Sequence, residues 1–410
     1  LWEDAFLAKT KQAQAMSKQP KNKKKDFKHW VGKAHLWLGL TSGLVVLLLA
    51  VTGCIYAFQE EITTALRHDN IYVTPTPGQQ HLPAAVLWEK TQKALGPKMP
   101  LNSLGIYNNP NKAALSYAYK FNEDKFWYLD SLEYYYIVYT NPYTGEVLGV
   151  YNEGHSFFNI VKMLHWSLLI SHPIGQQIIG WATFIFVIML ISGIILWWPK
   201  NKAARKQRLW FQWKETTKWR RKNYDLHNIF GFYVSSVALV LAFTGMVWAF
   251  TWFQKTVYVV SSLSITPPVP VVAKSALVKT SNKDAAFNTA IADAKTRYPE
   301  ADYYSVGRPT DSTAAIGMHI NLVPGTYYKH HHAYYDQYTG KFVAEENYKD
   351  ANMGEKVIGA NYDIHVGAIL GLPGKILAFT VSLICSALPV TGFLIWRGRN
   401  NKKAKKPAVA

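Results

Sequence analysis

The chain has 410 residues, two cysteines and a net charge of +19. So few cysteines exclude a disulfide scaffold or a thiolate metal cluster, and Cys54 and Cys385 both fall in apolar stretches, where they read as small packing residues. The positive charge argues against nucleic acid once it is located: 1–33, 199–225 and 397–410 carry net +20, and everything between them carries net −1.

In chain order, a basic tail (1–33) leads into a first span, TM1 at 34–60, whose apolar run covers 36–58. That run is long and no small-residue cleavage pattern follows it, so it reads as a retained anchor. A water-exposed domain at 61–160 comes next, then an outer segment plus second span at 161–198 (apolar 176–198) and a basic loop at 199–226. The third span occupies 227–253 (apolar 229–253), a second exposed domain 254–362, an outer segment plus fourth span 363–396 (apolar 376–396), and a basic tail 397–410. Each apolar run has the ~20 residues needed to cross a hydrocarbon core of about 30 Å. Positive segments stay in the cytoplasm, which puts both termini and the 199–226 loop inside and both large domains outside. The same segments would attract anionic headgroups of the lipid bilayer. Trp197, Trp198, Trp210, Trp213 and Trp396 read as an interfacial belt on the basic side.

Each exposed domain opens on a helical stretch, 83–95 and 284–297, followed by Tyr-, Val- and Ile-rich strand patterns. These patterns cover 104–107, 114–119 and 134–139 in the first domain, and 315–321 and 330–335 in the second. Each then reaches a Tyr-Thr-Gly turn, after Asn141 in one and Asp336 in the other, with Gly145 and Gly340 free to take positive φ. The parallel extends into the spans. His35 precedes Gly39 and Thr52-Gly53; His227 precedes Gly231 and Thr244-Gly245, again 17 residues from His to Thr. His165 is followed by Pro173 and Ser192-Gly193, and His365 by Pro373 and Thr391-Gly392. The expected fold is therefore a membrane α-helical protein with α+β extracytoplasmic domains, its four transmembrane helices arranged as two tandem repeats.

Ionisable groups near a bilayer are costly and are usually paired or functional. Four histidines at matched depths suggest an inner pair, His35 with His227, and an outer pair, His165 with His365. Facing imidazoles are what bis-histidine haem ligation requires. Gly39 and Gly231 share a helix face with His35 and His227, where a missing side chain would let a flat macrocycle approach; ordinary helix packing explains them as well. Zinc is disfavoured, since no His-x-x-x-His or acidic cluster accompanies these positions.

The His-x-Trp-x-Gly-Leu opening, the paired Tyr-Thr-Gly domains and the four spans resemble the PepSY-associated transmembrane family, over about 28–400. That family includes haem-containing ferric-siderophore reductases of the bacterial inner membrane. The resemblance implies PepSY-like exposed domains, His35, His165, His227 and His365 as iron ligands, and two haem b groups. It further implies electron transfer from cytoplasm to periplasm, with a ferric siderophore or other ferric chelate as substrate for iron uptake. No Gly-x-Gly-x-x-Gly, phosphate loop or hydrolase motif appears, so electrons would come from a separate cytoplasmic flavoprotein or membrane quinol. The basic loop is a docking surface for an acidic partner, or serves topology alone.

Other readings stay open. The chain could be a non-enzymatic module binding or regulating a periplasmic partner such as a peptidase; a transporter is disfavoured by the absence of buried acids in the spans. His172 breaks the repeat and is either a further ligand or an interfacial residue. Strand alternation puts His330 and His332 on one face, as a weak metal or iron-chelate contact or as a plain exposed strand face. Tyr134, Tyr135, Tyr136, Tyr334 and Tyr335 could stack on an aromatic chelate or serve simply as strand formers. Finally, 165–198 as one helix would be about 50 Å long, which would leave His165 above the membrane and the two pairs more than a membrane thickness apart.

Overall fold

The computed structural model describes residues 26–199, 201–276 and 282–404. Most of the basic tail 1–33 and the end of the tail 397–410 lie outside them.

Among the described residues four helices are long and apolar enough to cross a membrane. They are α1 (Phe27–Tyr56), α4 (His172–Trp197), α5 (Trp219–Ala249) and α8 (Gly371–Ala404). Asp26 caps α1 by accepting the His29 amide. Helix α1 packs beside α4 and α8, and α5 packs beside the same two, so α1 and α5 face each other across the bundle diagonal. Small and apolar side chains such as Val187, Leu190, Ala238, Ala242, Met246 and Cys385 fill its interior, as expected where close backbone approach drives association in lipid.

Outside the bundle, the described residues form eight strands in one antiparallel sheet in the order β4-β3-β2-β1-β5-β6-β7-β8. β1 (Ser103–Tyr107), β2 (Ala114–Phe121), β3 (Leu132–Thr140) and β4 (Val147–Asn152) come from the segment after α1. β5 (Tyr303–Val306), β6 (Ile316–Asn321), β7 (His330–Tyr335) and β8 (Phe342–Glu346) come from the segment after α5. The two segments are joined at the centre, where β1 pairs with β5 from Leu104↔Val306 to Tyr107↔Tyr303. The helices expected over 83–95 and 284–297 are α2 (Ala84–Leu95) and α6 (Lys283–Arg297). Both cover one face of the sheet, and Leu87, Trp88, Leu104, Phe287, Tyr304 and Ile320 are buried beneath them in one core. The turn residues do matching work: Asn141 Oδ1 accepts the amides of Tyr143 and Thr144, and Asp336 Oδ1 those of Tyr338 and Thr339.

The connection into α4 departs from a single long helix. α3 (Phe157–Ser167), capped by Ser156, stops at Leu168 and Leu169, both left-handed with φ of 57° and 59°. Positive φ at two leucines is uncommon, and backbone hydrogen bonds hold it here: the Leu168 amide donates to the Leu164 carbonyl and the Leu169 carbonyl accepts from the Tyr128 amide. The chain reverses there and starts α4 with Pro173 in its first turn. Gly175 is required at this reversal, because a Cβ would lie 2.0 Å from the Ser167 carbonyl oxygen. In the other half α7 (Asn361–His365) is followed by Gly367 at φ 80°, and Gly374 stands in the same relation to the Gly367 carbonyl.

Candidate functional site

His35 projects from α1 and His227 from α5, and their ring centres are 6.5 Å apart across the bundle. His165 on α3 and His365 on α7 form a second pair, with ring centres 6.0 Å apart. His165 does not stand above the bundle. Because α3 folds back, its Nδ1 lies 3.1 Å from the carbonyl oxygen of Leu49, about two turns inside the end of α1. The two pairs are separated along α1 by the rise from His35 to the Leu49–Thr52 turn, roughly 20–25 Å and so less than a membrane thickness.

The surroundings of all four rings follow one rule. His35 Nδ1 meets Ser192 Oγ at 2.8 Å and His227 Nδ1 meets Thr391 Oγ1 at 2.9 Å. His165 Nδ1 meets Thr52 Oγ1 at 3.0 Å, and His365 Nδ1 meets Thr244 Oγ1 at 2.8 Å. Each hydroxyl already donates its own hydrogen to a backbone carbonyl one turn earlier on its helix. With its hydrogen on that carbonyl the hydroxyl accepts from the ring, which assigns the imidazole proton to Nδ1. The carbonyls of Leu49 and Leu241 reinforce this for His165 and His365, both at 3.1 Å. The backbone carbonyls of Met189 and Leu388 stand as acceptors for His35 and His227 in the same way. The consequence is four rings whose Nε2 keeps a free lone pair, the form that ligates a metal.

The glycine after each hydroxyl residue faces the ring, tightly at Gly53 and Gly392 and at ordinary contact distance at Gly193 and Gly245. A Cβ would lie 3.3 Å from His165 Cε1 at Gly53, 3.5 Å from His35 Cε1 at Gly193, 3.7 Å from His365 Cε1 at Gly245 and 3.3 Å from His227 Cε1 at Gly392. Gly39 and Gly231, singled out by helical spacing, sit against Met189 and Leu388. The four Ser/Thr-Gly dipeptides were visible in the sequence, yet nothing in it said that each receives a histidine from another helix.

A cavity of about 280 Å³ adjoins the outer pair, near the lower end of small-molecule sites. His165, His365, Gly53, Gly245, Tyr56 and Trp248 are among its walls, and Lys162 lines it one turn before His165. His172 lies apart. It is exposed at the start of α4 and packs on Trp166, 5.6 Å between ring centres. Trp166 packs on Trp248, and Trp248 on His365. On the opposite side of the bundle Trp198 and Trp210 are exposed, whereas Trp197 is buried and stacks on Phe232.

Above the outer pair, the face of the sheet not covered by α2 and α6 carries Tyr107, Tyr117, Tyr135 and Tyr303. Burial pushes the hydroxyls of all four up, keeping them neutral. Tyr134, Tyr136 and Tyr335 point to the other face and pack on the helix-covered core. The loop after β6 ties the sheet to α7, with the Tyr327 amide on the Asp363 carboxylate at 3.0 Å and its ring on Tyr362.

The sequence matches the family model for the PepSY-associated TM region over residues 33–399. The chain belongs to that family, and is a membrane protein with transmembrane helices and an α+β sheet-containing part. No curated protein matches it.

Proposed function

We propose that the two histidine pairs hold two b-type haems and that the protein carries electrons across a bacterial inner membrane to reduce a ferric siderophore or other ferric chelate on the far side. The observation that carries this reading is the Nδ1 lock on all four rings, which presents an Nε2 lone pair from each member of two facing pairs. The spacing agrees. An iron between two imidazoles holds their centres roughly 6–6.5 Å apart, from two metal–nitrogen bonds of about 2.0 Å and the ring radii, against 6.5 and 6.0 Å here. Bound haem supplies a one-electron Fe(III)/Fe(II) couple.

The protein's own residues do the rest. His35 and His227 come from diagonal helices, so a group between them would be enclosed by all four, while Ser192 and Thr391 orient the rings. His165 and His365 form the corresponding pair toward the sheet, where Lys162 supplies a cation for an acidic substituent. The tyrosine-lined face above them offers neutral hydroxyl donors and flat rings for an aromatic chelate. The partition of charge supports an orientation with the basic ends of the bundle in the cytoplasm and the sheet in the periplasm, with the two halves read as copies of one unit. The donor would be a separate flavoprotein or a membrane quinol.

The test is direct. Protein purified in mild detergent is expected to be red, with low-spin b-type absorption and two haems per chain. Dithionite-reduced protein should be reoxidised by a ferric chelate. Colourless protein that takes up no haem on reconstitution would overturn the reading and favour a non-enzymatic role for the paired outer segments.

A further inference from the structure

The run His330-His331-His332 splits between the two faces of the sheet. His331 turns to the helix-covered side, where its Nδ1 accepts the Tyr348 amide at 3.0 Å and its ring lies on Tyr298; it is buried and structural. His330 and His332 turn to the other side. There the register of β6 and β7 sets His319 directly across from His332, with His330 on the diagonal. Ring centres of His319, His330 and His332 form a near-equilateral triangle, 4.7, 5.0 and 5.0 Å on a side. One ring nitrogen from each lies within 4.8 Å of the others. All three are half-buried, neither freely solvated nor sealed off.

We propose that His319, His330 and His332 form a binding site for a divalent first-row transition-metal ion. Three imidazoles, with the Glu346 carboxylate across from His332 on β8, suit zinc, copper, nickel or ferrous iron, and disfavour magnesium and calcium, which demand all-oxygen ligand sets. His330 shows the expected support: its Nδ1 donates to the Tyr327 carbonyl at 2.7 Å. That fixes the proton on Nδ1 and leaves Nε2 to the metal, the usual outer contact of a metal-bound histidine. Three protein ligands leave a fourth, open position on the ion. Metal–nitrogen bonds of about 2.0 Å require the three nitrogens to close to roughly 3.3 Å in a tetrahedral arrangement, a movement that small side-chain rotations supply. The site is not isolated from the bundle. Tyr327, which holds His330, packs on Tyr362, Tyr362 on Trp248, and Trp248 on His365.

The test uses the full chain in detergent, purified on an affinity tag free of histidine and stripped with EDTA. Titration with Co²⁺, followed by calorimetry and by metal analysis after desalting, is expected to show one equivalent bound and displaced by Zn²⁺. His319→Ala and His332→Ala should each weaken Co²⁺ binding at least about 100-fold, and His172→Ala should not change it. His319→Asn, a smaller change on the same strand, serves as the second variant, with unaltered thermal unfolding showing that the sheet is intact. Wild-type protein that binds no Co²⁺ at millimolar concentration would overturn the proposal, as would undiminished binding in His319→Asn and His332→Ala. The result is independent of the haem reading: colourless protein that still binds one Co²⁺ would sink that reading and leave this one standing.

Discussion

The hydroxyl lock on the outer pair can be tested one atom at a time. Thr244→Val keeps the shape of the side chain and removes the oxygen that accepts from His365 Nδ1 at 2.8 Å. The Leu241 carbonyl at 3.1 Å remains, so the ring keeps one acceptor and its tautomer. Losing one such hydrogen bond costs about 0.5–1.5 kcal/mol, and outer partners of metal-bound histidines are worth about 10–100-fold in affinity. The surviving carbonyl places the effect near the low end, roughly tenfold. The measurement is haem titration of the apo-protein in a His35→Ala background, in which only the outer pair can load. A weaker affinity and a shifted midpoint potential are expected, with a drop of no more than about 2–4 °C in the polypeptide's melting temperature. Affinity within twofold of the parent, together with an unmoved potential, would refute the argument that Thr244 orients His365.

Four further outcomes follow from particular contacts. Gly53→Val should abolish loading of the outer pair, because even a Cβ would lie 3.3 Å from the His165 ring; Gly39→Ala, facing the flexible end of Met189, should leave haem content unchanged, as read from the pyridine haemochrome. His172→Ala should also leave haem content unchanged, since His172 is exposed and reaches the outer pair only through Trp166 and Trp248. Asp336→Ala should destabilise the sheet by about 1–3 kcal/mol, and Asp336→Asn by less, because an amide keeps the turn bonds to Oδ1, as Asn141 does in the matching turn, and loses only the Ala276 bond to Oδ2. Burial alone would raise the Asp336 carboxyl, but hydrogen bonds from Thr339, Ala276 and Tyr338 outweigh it and hold it below the usual carboxylate range. Its contribution is thus present above the unfolded value near 4 and lost as pH falls through the lower folded value, so acid melts should be shallower in Asp336→Asn. Reporter fusions at Gly78 and Asn282 should give one sidedness and a fusion at Lys206 the other; agreement of all three would overturn the topology.

What the sequence determined by itself is what short-range chemistry writes locally. Apolar runs long enough to cross a bilayer announced the four spans, because hydrocarbon tolerates few charges over that length. The helices over 83–95 and 284–297, and the Asn141 and Asp336 turns, were legible because caps, periodicity and turn residues act over a few positions. The four histidines stood out because imidazole is rare beside such runs.

Tertiary structure decided the pairings. β5 is only four residues, Tyr-Tyr-Ser-Val, too short to signal a strand, yet its register with β1 joins the two outer segments into one sheet. Left-handed Leu168 and Leu169 carry no sequence mark, since leucine is not a residue that favours positive φ. They fold α3 back into the bundle and so bring His165 to Leu49 and Thr52. Helical spacing pointed to Gly39 and Gly231, which lie on the histidines' own helices. The glycines that meet the rings lie on other helices, a relation between residues more than a hundred positions apart. Likewise His319 joins His330 and His332 only through the β6–β7 register, which long-range hydrogen bonding sets and no local pattern encodes.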